Sequence, residues 1–161
     1  MKRLEKIIEF VRNAHDGQTR AGGVEPYFNH LKRVAQNASH LPESFQIVAY
    51  CHDYLEDVEG AHSADLLALG VSVREVKAIN SLTKRKGESF KEYAARFGSS
   101  EIGKVIKAAD RADNLLSKHP TWNNKKIMSY IKQAELILSL SNDLKVNNIL
   151  RSRIEATKKM L

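Results

Sequence analysis

One short run constrains this chain more than any other: His52-Asp53-Tyr54-Leu55-Glu56-Asp57. A helix turns about 100° per residue, so His52, Asp53, Glu56 and Asp57 would share an arc of roughly 140°. Val48, Cys51, Tyr54 and Leu55 fill the opposite arc and suit a core. One face therefore carries an imidazole and three carboxylates. Packed like charges repel, and a divalent cation is the natural partner that relieves the repulsion. The run predicts a short helix with an apolar side and a metal-facing side.

The rest of the sequence is patterned for helices. Leu4, Ile7, Ile8 and Val11 recur at the i, i+3, i+4, i+7 spacing of an amphipathic helix that ends near Gly17. Residues 18–25 hold two glycines and read as a loop. Pro26 can open the next helix, with Phe28, Leu31, Val34 and Ala35 inward. Leu41-Pro42-Glu43-Ser44 starts the helix that carries the His-Asp pair. Ser63 is placed to cap a short helix that stops at Gly70. Ser72 with Glu75, and Ser89 with Glu92, have capping-box spacing. Residues 83–87 form a basic loop between those two helices. Ser99 or Ser100 opens the helix that carries Asp110. Pro120-Thr121 starts another, with Ile127, Ile131, Ala134 and Leu138 as its stripe, and a last amphipathic helix follows the break at Ser141-Asn142. The expected fold class is all-α: one helical-bundle domain over residues 1–161, with additional C-terminal helices over about 120–161.

Length and composition support that reading. A chain of 161 residues that is 42% hydrophobic can bury one core. Three prolines and eight glycines leave no room for long disordered stretches. The single Cys51 excludes an internal disulfide framework, and its place on the apolar face predicts a buried, inert thiol. No apolar stretch reaches transmembrane length, and the amphipathic N-terminus lacks the apolar centre of a signal peptide. A cytoplasmic location is the default expectation. The net charge of +7 fits either nucleic-acid binding or a site for polyanionic nucleotides. The basic residues are spread along the chain, with no arginine-rich arm and no aromatic RNA-binding signature, so nucleic acid is not the expected partner.

Two further segments complete a resemblance. Upstream lie Ala14-His15-Asp16-Gly17-Gln18-Thr19-Arg20 and Glu25-Pro26-Tyr27-Phe28-Asn29-His30; downstream lies Lys107-Ala108-Ala109-Asp110-Arg111-Ala112-Asp113-Asn114. The order His, His-Asp, Asp is the ligand pattern of the HD metal-dependent phosphohydrolases. The surrounding words resemble the hydrolase domain of RelA/SpoT-type alarmone enzymes and their small stand-alone relatives, over about residues 8–117.

That resemblance implies His30, His52, Asp53 and Asp110 as ligands of one divalent ion. Mixed imidazole and carboxylate donors suit Mn, Fe, Zn, Ni or Mg, with manganese first by resemblance. His15 reads as a hydrogen-bonding neighbour of the site rather than a ligand. His40, His62 and His119 lie in loop-like contexts and read as ordinary histidines. Glu56 and Asp57 sit one turn beyond His52 and Asp53, where carboxylates can hold a water in line and accept its proton. In the alarmone hydrolases the matching pair has that task. Asp110, Asn114 and Ser117 share an arc of roughly 60° on their helix, apart from an apolar side with Ile102, Ile106, Ala109 and Leu116. By resemblance Asn114 and Ser117 touch the nucleoside sugar, and Arg20 packs on the base. Lys84 and Lys86 stand where a basic loop can meet phosphates.

The chain also departs from the family pattern. Ala21 replaces a basic residue, Leu31 replaces a proline, and Leu116 replaces an arginine. The expected activity is hydrolysis of a guanosine tetra- or pentaphosphate at its 3′-pyrophosphate. The alternatives are an HD phosphohydrolase acting on a nucleoside monophosphate, a dNTP or a phosphorylated dinucleotide, and a non-catalytic basic binding protein with a structural metal. The apolar stripes of the last two helices also suit a homo-oligomer.

Overall fold

The computed structural model describes residues 1–20, 23–116 and 121–161. Its described elements are all helices: α1 (Arg3–Ala14), α2 (Tyr27–Asn37), α3 (Glu43–Cys51), α4 (Tyr54–Asp57), α5 (Ser63–Ala68), α6 (Val73–Ser81), α7 (Phe90–Gly98), α8 (Glu101–Leu116), α9 (Asn124–Leu140) and α10 (Leu144–Lys158). One isolated bridge, Thr19 to Pro26, closes the loop between α1 and α2. The fold is an all-α bundle. No helix among the described residues is long and apolar enough to cross a membrane.

Helix α8 is the axis. It packs against α2, α3, α6, α7, α9 and α10, and Ile102, Val105, Ile106, Ala108, Ala109, Ala112 and Leu115 are all buried. A helix apolar on most of its circumference belongs at the centre of a bundle. The C-terminal helices lie on it directly, with Val146, Leu150 and Ile154 of α10 forming a stripe at i, i+4 and i+8. Buried Arg111 of α8 pins α9: its guanidinium lies 4.2 Å from the centre of the Tyr130 ring and donates to the Tyr130 carbonyl and to Gln133.

The expected helix ends hold where capping chemistry is local. Ser72 accepts from Glu75 N–H and Ser89 from Glu92 N–H, each with the reciprocal bond from the glutamate. Three expectations are corrected. The His52-Asp53 pair interrupts its helix: α3 ends at Cys51, the pair forms a turn, and α4 restarts at Tyr54. The cap of α5 is His62, not Ser63. Helix α9 starts at Asn124, where the Asn123 side chain accepts from Lys126 N–H, rather than at Pro120-Thr121. Pro120 itself lies outside the described residues.

Candidate metal centre

His30 stands on α2, His52 and Asp53 in the turn after α3, and Asp110 on α8. All four are buried, and one donor atom from each lies within 4.8 Å of the others. His30 Nε2 is 2.9 Å from Asp110 Oδ1 and 3.6 Å from Asp53 Oδ2. His52 Nε2 is 3.0 Å from Asp53 Oδ2 and 3.2 Å from Asp110 Oδ1. Four residues spread over eighty positions therefore converge on one point.

Both imidazoles turn the same nitrogen toward that point. His30 Nδ1 is 2.6 Å from Asp113 Oδ2, and His52 Nδ1 is 2.6 Å from the Ala49 carbonyl. These acceptors assign the proton to Nδ1 and leave Nε2 to face the carboxylates. Burial alone would lower both histidine pKa values, yet the facing aspartates outweigh it. His30 is raised to about 9 and His52 well above its usual value. Burial would raise Asp53 and Asp110, and the cationic neighbours instead hold both far below the usual carboxylate range. Two imidazole and two carboxylate donors in a buried pocket suit a divalent cation, which would replace protons as the positive charge. This buried group can hold one.

Three neighbours escaped the sequence reading. Asp113 sits behind His30. Lys107 Nζ lies 3.1 Å from Asp110 Oδ2. Tyr27 donates its hydroxyl to Asp53 Oδ2 at 2.7 Å and lies 3.1 Å from Asp57 Oδ2. Lys107 and Asp113 each stand three residues from Asp110 on α8, so helical spacing was the available signal.

Glu56 and Asp57 stand at the exposed rim. Glu56 Oε1 accepts the Lys84 backbone N–H at 3.1 Å. Partial burial, followed by the charge of Asp53, pushes both carboxyl groups above their ordinary values, and Asp57 adds to the rise at Glu56. The Lys84 and Lys86 side chains are exposed. Arg20 and Asn114 come together, with Arg20 Nη2 3.2 Å from Asn114 Oδ1. Ser117 and Ala21 lie outside the described residues, as does His119. His15 is buried against Tyr27, its ring 5.4 Å away, and bonds Gln18, which donates to the Asp57 carbonyl. His40 pairs with Asp143 instead. Cys51 is buried, and burial pushes its thiol up to about 12. Leu116 is 54% exposed, which corrects its placement on the apolar side of α8.

No protein-family model matches the chain. It is 32% identical over 158 residues to a guanosine-3′,5′-bis(diphosphate) 3′-pyrophosphohydrolase of Vibrio cholerae, covering 91% of this chain and 22% of that protein. It is 29% identical over 160 residues to the bifunctional (p)ppGpp synthase/hydrolase SpoT of Escherichia coli, covering 92% of this chain and 23% of that protein. The chain thus spans under a quarter of the length of these relatives, while the likeness reaches beyond residues 8–117 of this chain. A solved structure described as a metazoan ortholog of SpoT that hydrolyzes ppGpp superposes with a TM-score of 0.82 at 21% identity, covering 100% of this chain and 98% of that one. That likeness establishes the fold. The class that fold and donor set resemble is the HD-type hydrolase domain. Within it, the chain resembles the hydrolase domain of SpoT-type alarmone enzymes in particular.

Proposed function

We propose that this chain is a metal-dependent nucleotide phosphohydrolase that removes the 3′-pyrophosphate of guanosine 3′,5′-bis(diphosphate). The convergence of His30, His52, Asp53 and Asp110 within 4.8 Å, beneath a rim that carries Glu56 and Asp57, carries the reading. The activity for which the relatives are named suggests the substrate. Residues 1–161 act as one HD domain in this reading, within the cytoplasm.

His30, His52, Asp53 and Asp110 would hold a divalent ion, manganese first, with Fe, Zn, Ni or Mg as the alternatives. Such an ion polarises a phosphoryl oxygen and acidifies water. Glu56 and Asp57 orient the attacking water and take its proton. The water oxygen bonds to phosphorus as the bond from phosphorus to the ribose 3′ oxygen breaks. Lys107 offsets negative charge beside Asp110, and Lys84 and Lys86 meet phosphates from the rim. Arg20 packs on the base, while Asn114, with Ser117, holds the sugar.

The test is manganese-dependent release of pyrophosphate from guanosine tetraphosphate, with Asp53→Ala and Glu56→Gln as controls. Release that needs both side chains is the expected result. No release from folded, manganese-loaded protein overturns the alarmone reading. Exposed Leu116, where the family has an arginine, favours a second reading: hydrolysis of another nucleotide. Orthophosphate from a monophosphate, without pyrophosphate from the alarmone, would identify it.

A further inference from the structure

The two histidines of the centre are supported differently. His52 Nδ1 meets a neutral backbone carbonyl, whereas His30 Nδ1 meets the carboxylate of Asp113 at 2.6 Å. A carboxylate acceptor makes an imidazole a stronger ligand and fixes its ring orientation. Asp113 is itself buried, so its charge needs compensation where water does not reach it. Arg33 provides it through a fork: Nε to Oδ1 at 2.6 Å and Nη2 to Oδ2 at 3.1 Å. Arg20 Nη2 adds a second guanidinium 3.9 Å from Oδ2.

The arrangement follows from two helices in register. His30 and Arg33 stand at i and i+3 on α2; Asp110 and Asp113 stand at i and i+3 on α8. The packing of α2 on α8 brings the pairs face to face, with His30 touching both aspartates. Arg33 also pairs with Glu25 through both terminal nitrogens. Glu25 in turn accepts the Arg20 backbone N–H on its carbonyl at 2.8 Å. One guanidinium thus joins the rear of a candidate ligand to the loop that carries Arg20.

We propose that Asp113, clamped by Arg33, is a positioning residue that sets the affinity of this centre for a divalent cation by holding His30 with Nε2 toward the ion. The proposal rests on the reading of the centre as a metal site and is independent of the substrate. It predicts that the charge of Asp113 matters beyond its shape. Asparagine still accepts a hydrogen bond from Nδ1–H through its one oxygen, but it carries no charge and loses the acceptor for Arg33 Nε, so Asp113→Asn removes the charge and its clamp while keeping the bond to His30.

The experiment titrates metal-free wild-type and Asp113→Asn protein with Mn2+ and reads free manganese by electron paramagnetic resonance. The expected loss of affinity is about 10- to 100-fold, with helical content unchanged by circular dichroism. A measurement on the wild type alone guards against a variant that fails to fold. In the Zn2+-loaded protein, 15N NMR of the His30 ring should show a proton kept on Nδ1. Equal Mn2+ affinity in folded Asp113→Asn, or zinc on Nδ1, overturns the proposal. So does a variant with a lower melting temperature and unchanged affinity, because Asp113 is then merely structural. Wild-type protein that takes up neither Mn2+ nor Zn2+ overturns the metal reading as well.

Discussion

The hydroxyl of Tyr27 lies between two carboxylates, 2.7 Å from Asp53 Oδ2 and 3.1 Å from Asp57 Oδ2. A phenol has one proton to give, so this single donor links a candidate ligand to a candidate water-orienting group. Burial first, and then the nearby carboxylates, push the Tyr27 ionisation far above its ordinary value, so the proton stays on the phenol. Tyr27→Phe keeps the ring against His15 and removes only the link. Hydrogen bonds to charged groups contribute about 1.5–3 kcal/mol, which converts to a loss of roughly tenfold or more in kcat. Steady-state pyrophosphate release at saturating Mn2+ checks this. A rate within twofold of wild type would show that the link has no part in turnover.

A bound cation should stabilise the fold as well as serve the chemistry. Its candidate ligands come from α2, the turn after α3, and α8, so an ion there would cross-link separate parts of the bundle. A ligand at a hundred times its Kd adds about 2.7 kcal/mol to the folded state. For a chain of this size that is a rise in Tm of roughly 5–10 °C. Differential scanning fluorimetry with Mn2+, reversed by EDTA, measures it. Asp53→Ala should abolish the shift; a full shift in that variant would place the binding elsewhere.

What could be read from the sequence, and what could not, divides by range. The capping boxes at Ser72 and Ser89 are local chemistry, and both form as their spacing requires. The grouping of His30, His52, Asp53 and Asp110 is legible because the four come in words of fixed order, and the structure brings them together. The break at His52-Asp53 is not legible, since no glycine or proline marks it. Helix α9 opens at Asn124 because the Asn123 side-chain oxygen satisfies the Lys126 amide. Asp113 and Tyr27 acquire their partners only when α2, the turn after α3 and α8 pack, which no local pattern encodes, whereas Lys107 meets Asp110 three residues on within α8 itself. The exposure of Leu116 likewise depends on where α8 ends relative to its neighbours.

Acid should weaken the fold through Glu75. This buried carboxylate joins α1, α3 and α6: it accepts from Arg3 at 2.9 Å, from the Ser44 hydroxyl at 2.7 Å and from Ser72 N–H at 2.9 Å. Burial would raise its pKa, but these donors outweigh burial and hold it below the ordinary 4.5. A folded pKa below the unfolded one means that the unfolded chain binds the proton more readily. The stabilisation is therefore complete above pH 4.5 and is lost as the pH falls below it through the folded value. Glu75→Gln should lower stability at pH 7 by roughly 1–3 kcal/mol. The gap from wild type should close toward pH 3. Thermal melts of both proteins across that range test it, and a gap that stays constant would exclude the carboxylate charge as the cause.

Gly103 is placed where α8 runs close beside α6. A Cβ there would lie 2.5 Å from Ser81 Oγ and 2.9 Å from both side-chain atoms of Ser100. Alanine is the better helix former by about 1 kcal/mol, but overpacking costs about 1–3 kcal/mol. The clash should win. Gly103→Ala is expected to destabilise by roughly 1 kcal/mol, and Ser81→Ala in the same chain should recover part of it. Chemical denaturation compares the two, and a stabilised Gly103→Ala protein would show that the helices slide apart freely.

Arg96 should influence the rim from a distance. Its guanidinium donates to the carbonyls of Asn80 and Thr83 and to both oxygens of Glu88, whose Oε1 also accepts the Arg85 N–H. Those bonds hold the loop over residues 83–88 at both ends. The Lys84 N–H of that loop donates to Glu56 Oε1. Loosening the brace should let the Glu56 carboxylate wander, while the four candidate ligands stay where α2, α3 and α8 put them. Coupled residues typically interact by about 0.5–3 kcal/mol, so Arg96→Ala is expected to lower kcat about fivefold and leave Mn2+ affinity unchanged. If Arg96 acts through Glu56, the loss disappears when Glu56 is already glutamine. The four proteins of that double-mutant cycle, assayed for pyrophosphate release, decide the matter. An equal loss in both backgrounds would mean that the loop acts through Lys84 and Lys86 on the phosphates instead.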